Sequence, residues 1–311
     1  MRIAVNIGGD VLGNPSSPAG VVTEAVEGER EGFRSAWTVH FSRAVDALTT
    51  LAVAGQATER IELGVGVVPT YPRHPLALAQ QAATAQAFCG GRLTLGVGVS
   101  HRPVIEGLHG MAFARPAAHM REYLSVLVPL LNGDAVDFDG EHYRVHGGFT
   151  VPGTSAVSVL VGGLSPQMVR AAGELADGVV TWLAGPRTIA EVIAPTLRAA
   201  AETAGRPAPR LVAGLPVAVT DDVGDARRAT EDRFGRYNGL ENYQRVYARE
   251  GVSAVGELAI IGDESTVEQQ LRRYADAGVT ELWPVVFPAG DDPAASRART
   301  RSLLAKLAAE L

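Results

Sequence analysis

Two histidines and two short glycine clusters have the types and spacing that chemistry needs. His40 follows the run Ser35-Ala-Trp-Thr-Val39, and His101 follows Leu93-Thr-Leu-Gly-Val-Gly-Val-Ser100. A side chain just past the C-terminal end of a parallel strand points into the mouth where such sheets bind ligands. A neutral imidazole there can hold a carbonyl or an imine nitrogen, or pass it a proton. A loop histidine can also do no more than cap backbone groups, and His40 is open to that reading. In Val161-Gly-Gly-Leu-Ser-Pro-Gln167 a Gly-Gly turn opens a helix. Free backbone N–H groups of Gly162 and Gly163, with the helix N-terminus, would make an anion site, and a cofactor phosphate is the preferred occupant. Asp177-Gly178 and Thr181-Trp182 on the next strand would flank it; simple capping by Ser165 accounts for the same residues.

Other chemistries fit less well. Gly96-Val-Gly-Val-Ser100 lacks the third glycine of a dinucleotide fingerprint, and no acidic residue closes a second strand about 20 residues on. Of the seven histidines, His142 and His146 alone are closely spaced. On a strand they would stand about 13 Å apart, too far to share an ion, so no metal is expected. His119, on an amphipathic helix, reads as structural.

These residues need a parallel sheet to bring them together. Apolar runs near 3–7, 35–39, 61–68, 92–99, 157–162, 178–182, 211–219 and 280–286 alternate with helical patterns near 18–31, 44–58, 75–88, 116–131, 166–176, 187–204, 223–249, 264–277 and 294–310. Eight strands close a barrel, so an α/β fold of the (β/α)8 type is expected, as one domain over residues 1–311. Pro75 suits a first helical position; Asp46, Ser165 and Asp263 suit helix starts. Two segments exceed a minimal barrel. Residues 132–150 alternate about Asp139-Gly140, a hairpin turn pair. Residues 233–256, rich in Tyr and Arg, read as an excursion above the barrel mouth. Tyr71, Phe113, Tyr237, Tyr243 and Tyr247 could line a pocket there or pack the insertion.

Composition excludes several functions. A formal net charge of −6 leaves no basic face for nucleic acid. Cys89 is the single cysteine, so there is no disulfide framework. No apolar run approaches the roughly 20 residues of a membrane helix. Met1-Arg-Ile-Ala-Val5 reads as a strand rather than a signal peptide, so a cytoplasmic protein with a small-molecule substrate is expected. Arginine carries nearly all the basic charge, Lys306 being the only lysine, which points to a GC-rich bacterial source.

The chain resembles the bacterial luciferase-like oxidoreductases, and within them the coenzyme F420-dependent enzymes of actinobacteria. The resemblance rests on Glu31-Gly-Phe-Arg-Ser-Ala-Trp37, on Arg60-Ile-Glu-Leu-Gly-Val-Gly-Val-Val-Pro-Thr70 with Arg73-His-Pro-Leu-Ala-Leu-Ala-Gln80, on Gly90-Gly-Arg-Leu-Thr-Leu-Gly-Val-Gly98, and on Ala176-Asp-Gly178. Gly262-Asp-Glu-Ser-Thr266 and Gly278-Val-Thr-Glu-Leu282 extend it. It implies a (β/α)8 barrel, usually a homodimer, with a non-prolyl cis peptide between Gly66 and Val67 bracing the deazaflavin ring. It places cofactor contacts at His40, at Val99, Ser100 and His101, at Gly162 and Gly163, and at Thr181. The implied activity is hydride transfer between C5 of F420 and a C=C or C=N bond of a small organic molecule, with His40 or His101 as the catalytic proton donor. The alternative is an FMN-dependent two-component monooxygenase. The sugar-phosphate dehydrogenases of this branch carry a carboxylate where His101 stands, an Asp-His pair where Val39-His40 stand, and lysines for the phosphate. A phosphorylated sugar is therefore not the expected substrate.

Overall fold

The computed structural model describes residues 1–9 and 16–310. Its strands are β1 (Arg2–Ile3), β2 (Val5–Asn6), β3 (Ser35–Thr38), β4 (Glu62–Pro69), β5 (Leu93–Gly98), β6 (Val136–Asp139), β7 (Arg144–Gly147), β8 (Ser158–Gly162), β9 (Gly178–Trp182), β10 (Arg210–Val219), β11 (Ile260–Gly262) and β12 (Glu281–Val286). The main sheet runs β1-β12-β10-β9-β8-β5-β4-β3-β2, with every pairing parallel. β1 and β2 are two pieces of one strand interrupted at Ala4, one piece bonded to β12 and the other to β3. The first strand thus meets both edges and the ring closes, as the eight apolar runs predict.

Helices cover the outside. Asp46, Ser165 and Asp263 cap theirs, accepting from the amides of Thr49, Met168 and Thr266. The antiparallel hairpin β6–β7 turns where Asp139-Gly140 predicts, the Gly140 amide bonding to the Tyr143 carbonyl. Two expected helices are broken. The stretch near 187–204 contains a π-helical turn over Ile189–Ile193. The stretch near 223–249 divides into Val223–Phe234, a 3-10 turn Gly235–Tyr237, and Glu241–Glu250. Gly235 opens that turn and Gly239 follows it, and glycine weakens a helix interior by about 1 kcal/mol. The segments Arg102–Gly107, Val255–Leu258 and β11 are too short to show a period in the sequence. β11 extends the sheet beside the upper half of β10, pairing Val217 with Ile260.

Polar residues at the starts of the strands close the lower end of the barrel. The fully buried Glu281 carboxylate accepts from Ser35 Oγ at 2.6 Å, Trp37 Nε1 at 2.8 Å and Arg210 Nη2 at 2.7 Å, and also pairs with Arg2. Arg210 reaches Glu62 at 2.6 Å, and Glu62 accepts from Thr94 Oγ1 at 2.7 Å. Above them Trp37 and Trp283 pack with ring centroids 5.8 Å apart.

The β4–β5 register shifts between Val65 and Val68, a bulge, and the Gly66–Val67 peptide within it is cis. The bulge turns the Val65 carbonyl against β5, where a Cβ on Gly96 would lie 2.2 Å from that oxygen. Gly96→Ala is therefore expected to cost about 1–3 kcal/mol, as overpacking does. Urea denaturation measures it; wild-type stability in that variant would mean the bulge relaxes freely.

Candidate active site

A cavity of about 890 Å³ opens at the C-terminal ends of the barrel strands. Its floor is Gly66, Val67 and Trp283, one wall is the loop from Val39 to Ala44, and another is Ser100, His101, Pro103 and Val104. Trp182 at the end of β9 and Arg236, Tyr237, Leu240 and Tyr243 from the second insertion complete it. Among the described residues the lining contains no Asp or Glu, while Arg43 and Arg236 bring two positive charges. The volume is ample for a flat ring system with a small second molecule.

His40 is tied down. Its Nδ1 accepts from the Ala47 amide at 3.4 Å, at the start of the helix Ala47–Ala57, and its Nε2 lies 3.5 Å from Arg73 Nη2. Arg73 donates to Asp46 Oδ2 at 2.6 Å. Burial works to raise the Asp46 carboxyl, but the Thr49 amide and Arg73 outweigh it and hold it down at about 2. Burial first, then Arg73, lowers the His40 pKa against the pull of Asp46. A positive neighbour on one side and a backbone donor on the other keep this imidazole neutral.

His101 is less encumbered. Its ring meets Tyr237 and Tyr243 at centroid distances of 6.0 and 5.9 Å, and no hydrogen bond engages its ring nitrogens among the described residues. Burial, then Arg236, lowers its pKa. Ser100, immediately before it, has φ of 60°, a left-handed conformation that costs a residue with a side chain roughly 1–2 kcal/mol. That turn sets His101 on the wall of the cavity. Burial above all, with Tyr237 and Tyr247, raises the Tyr243 pKa well above 10, so its phenol stays protonated.

Of the other residues singled out above, Gly66, Val67 and Ser100 line the cavity with the two histidines; Val99, Gly162, Gly163 and Thr181 do not. The glycines make room for a side chain. A Cβ on Gly98 would stand 2.5 Å from Val67 Cγ2, and one on Gly162 would stand 3.1 Å from Val67 Cγ1. The Gly163 amide is not free for an anion, because it donates to the Val180 carbonyl at 3.3 Å. Thr181 is buried, with Oγ1 3.4 Å from the Val212 carbonyl. Asp177 stands at the lower end of its strand, paired with Arg206 at 2.9 Å, and cannot flank anything at the mouth. Tyr71 stacks on His119 at 4.0 Å, and both rings belong to a packing cluster with Tyr123 and Tyr143. His119 Nε2 lies 2.9 Å from Thr70 Oγ1, and burial, then His142, takes its pKa down to about 4. His142 and His146 are not brought together; His146 pairs with Asp137. Among the described residues there is no cluster that could hold a metal ion, and no helix is long and apolar enough to cross a membrane.

Comparison with known proteins places this geometry. The model of the luciferase-like monooxygenase family matches residues 1–281. The chain belongs to that family. It is an oxidoreductase by that membership, and curated relatives include the F420-dependent glucose-6-phosphate dehydrogenase of Nakamurella multipartita, 30% identical over 83% of this chain and 78% of that protein. The F420-dependent tetrahydromethanopterin reductase of Methanopyrus kandleri superposes with a TM-score of 0.74 at 22% identity, over 100% of this chain and 98% of the other. The oxygenating constituent of 3,6-diketocamphane monooxygenase from Pseudomonas putida, in complex with FMN, gives 0.78 at 18% identity, over 100% and 98%. At those identities the two structures speak for the fold alone.

Proposed function

We propose that this protein is a coenzyme F420-dependent reductase acting on a C=C or C=N bond of a small organic molecule. The lining of the cavity carries the reading: an apolar floor at Gly66, Val67 and Trp283 with, among the described residues, no carboxylate on the walls and two arginines at the mouth. A flat apolar ring suits the floor, and an acidic tail suits Arg43 on the wall loop. Among the described residues nothing accepts from the buried Nε1 of Trp182, which offers a donor to a carbonyl of such a ring. When bound, reduced F420 supplies a hydride from C5. The side chains fix the face and distance of approach and exclude water, which is the protein's part in cofactor chemistry.

His101 is the better candidate for handling the proton, because His40 is already engaged with Ala47 and Arg73. A neutral imidazole N–H, backed by the protonated Tyr243 phenol, can donate to the atom on which negative charge develops. His40 then acts as a positioning residue for the loop from Val39 to Ala44. The sugar phosphate named for the Nakamurella relative is not carried over, since no lysine lines the cavity and the resemblance implies a carboxylate where His101 stands.

Titration of purified protein with F420 and with FMN, followed by absorbance and fluorescence, tests the reading. Saturable binding of F420 without comparable binding of FMN is expected. Protein that purifies yellow with FMN and ignores F420 would sink the proposal in favour of the monooxygenase.

A further inference from the structure

We infer that the acceptor is a small planar carboxylate, an α,β-unsaturated acid, and that Arg236 recognises its carboxylate; this rests on the reductase reading above. Arg236 sits on the 3-10 turn Gly235–Tyr237 at the cavity mouth. Its guanidinium lies 5.6 Å from the ring centre of Phe41 and 5.2 Å from that of Tyr237, and its hydrogen bond is a long one of 3.5 Å to the Tyr237 hydroxyl. Other arginines around this insertion have carboxylates: Arg228 pairs with Asp225, Arg245 with Glu241, and Arg249 with Glu191. Arg236 has none among the described residues, in a chain where Asp and Glu outnumber Lys and Arg by 34 to 28. A cation held between two rings at the rim of a cavity whose described lining has no acid is arranged for a ligand anion.

The chemistry of the walls narrows that anion. A guanidinium matches the two oxygens of a carboxylate edge to edge, and a single such fork with no lysine beside it suits a carboxylate better than a phosphate. Tyr237 touches both Arg236 and the His101 ring, so the anion site and the proposed proton donor share one side chain. A short flat molecule can therefore span them, its carboxylate at Arg236 and its unsaturated carbons toward His101 and Tyr243, with Phe41 and Trp182 as flanking surfaces.

The reaction balances. A hydride adds to the β-carbon and forms a C–H bond there, the π pair of the C=C bond moves to the α-carbon, and that carbon takes a proton by way of His101. The acid is reduced by two electrons and the deazaflavin is oxidised by two. Charge that builds on the α-carbon is shared with the conjugated carboxylate, so the contact to Arg236 strengthens as the reaction proceeds.

Binding of trans-cinnamate and of its methyl ester, followed by quenching of tryptophan emission with and without F420, tests the inference. The acid should bind at least about tenfold more tightly than the ester. Arg236→Gln, at an exposed position, should bring the acid to the level of the ester, a loss of about tenfold to a hundredfold for a charge-assisted contact, and leave the affinities for ester and F420 unchanged. Equal binding of acid and ester by the native protein, or binding of neither, overturns the inference. So does a variant that loses F420 affinity instead, which would give the guanidinium to the acidic tail of the cofactor. Failure to bind F420 at all would refute the deazaflavin reading separately, because the comparison of acid with ester needs no cofactor.

Discussion

Glu281→Ala is expected to destabilise the protein by about 3–5 kcal/mol at neutral pH, the range for breaking a buried ion pair from one side. The carboxylate is fully buried and serves four donors, on Arg2, Ser35, Trp37 and Arg210. Removing it leaves Arg210 with Glu62 as its one carboxylate and takes the acceptor from the Trp37 N–H in the closed end of the barrel. Burial alone would raise the Glu281 pKa, but Arg2, Arg210 and Ser35 outweigh burial and leave it below its ordinary value of 4.5. A depressed folded-state pKa means stabilisation that is complete above the unfolded value and lost as pH falls through the folded one. Wild type should therefore lose stability below about pH 4.5, and Glu281→Ala should lose less of it over the same interval. Urea denaturation at pH 7 and at pH 4 measures both. A cost under about 1 kcal/mol at pH 7 would show that the network serves some purpose other than stability.

The barrel was readable because parallel strands buried on both faces appear as unbroken apolar runs, and because Asp46, Ser165 and Asp263 mark helix starts with short-range chemistry. Long-range consequences were not readable. The glycines at 96, 98 and 162 were visible, but the side chain they admit, Val67, reaches them only after β4, β5 and β8 are assembled. Glu62, Arg210 and Glu281 look like solvated residues at the starts of strands, and only closure of the ring turns them inward on one another. At the mouth, His40 and His101 could be placed by their strands. Arg236 and Trp283 were missed as site residues, and Trp182 was placed beside an anion site rather than in the cavity wall, since each belongs to a different segment and no local spacing connects them. A periodic pattern over 223–249 also concealed the turn that presents Arg236.

His101→Ala is expected to lower kcat for F420-linked reduction by about 10²–10⁴, the usual contribution of a positioned proton donor, with F420 affinity nearly unchanged. His40→Ala should act differently. Its imidazole accepts from the Ala47 amide, so its loss should cost about 0.5–2 kcal/mol of stability, as the loss of a helix cap does, with a smaller effect on kcat. The pH profile separates the two roles. Burial and Arg236 lower the His101 pKa from 6.5, so the ring stays neutral through physiological pH and gains its proton only in more acidic solution. If the neutral ring is the working form, wild-type activity is flat near pH 7 and declines on the acid side below 6.5. The residual activity of His101→Ala should lack that limb, whereas His40→Ala should keep it. Absorbance of F420 at several pH values under steady-state turnover provides both curves. A larger loss of kcat in His40→Ala than in His101→Ala, with the acid limb retained in the latter, would exchange the two assignments. Arg73 and Asp46 would then have to be read as the groups that hold a catalytic His40 in place.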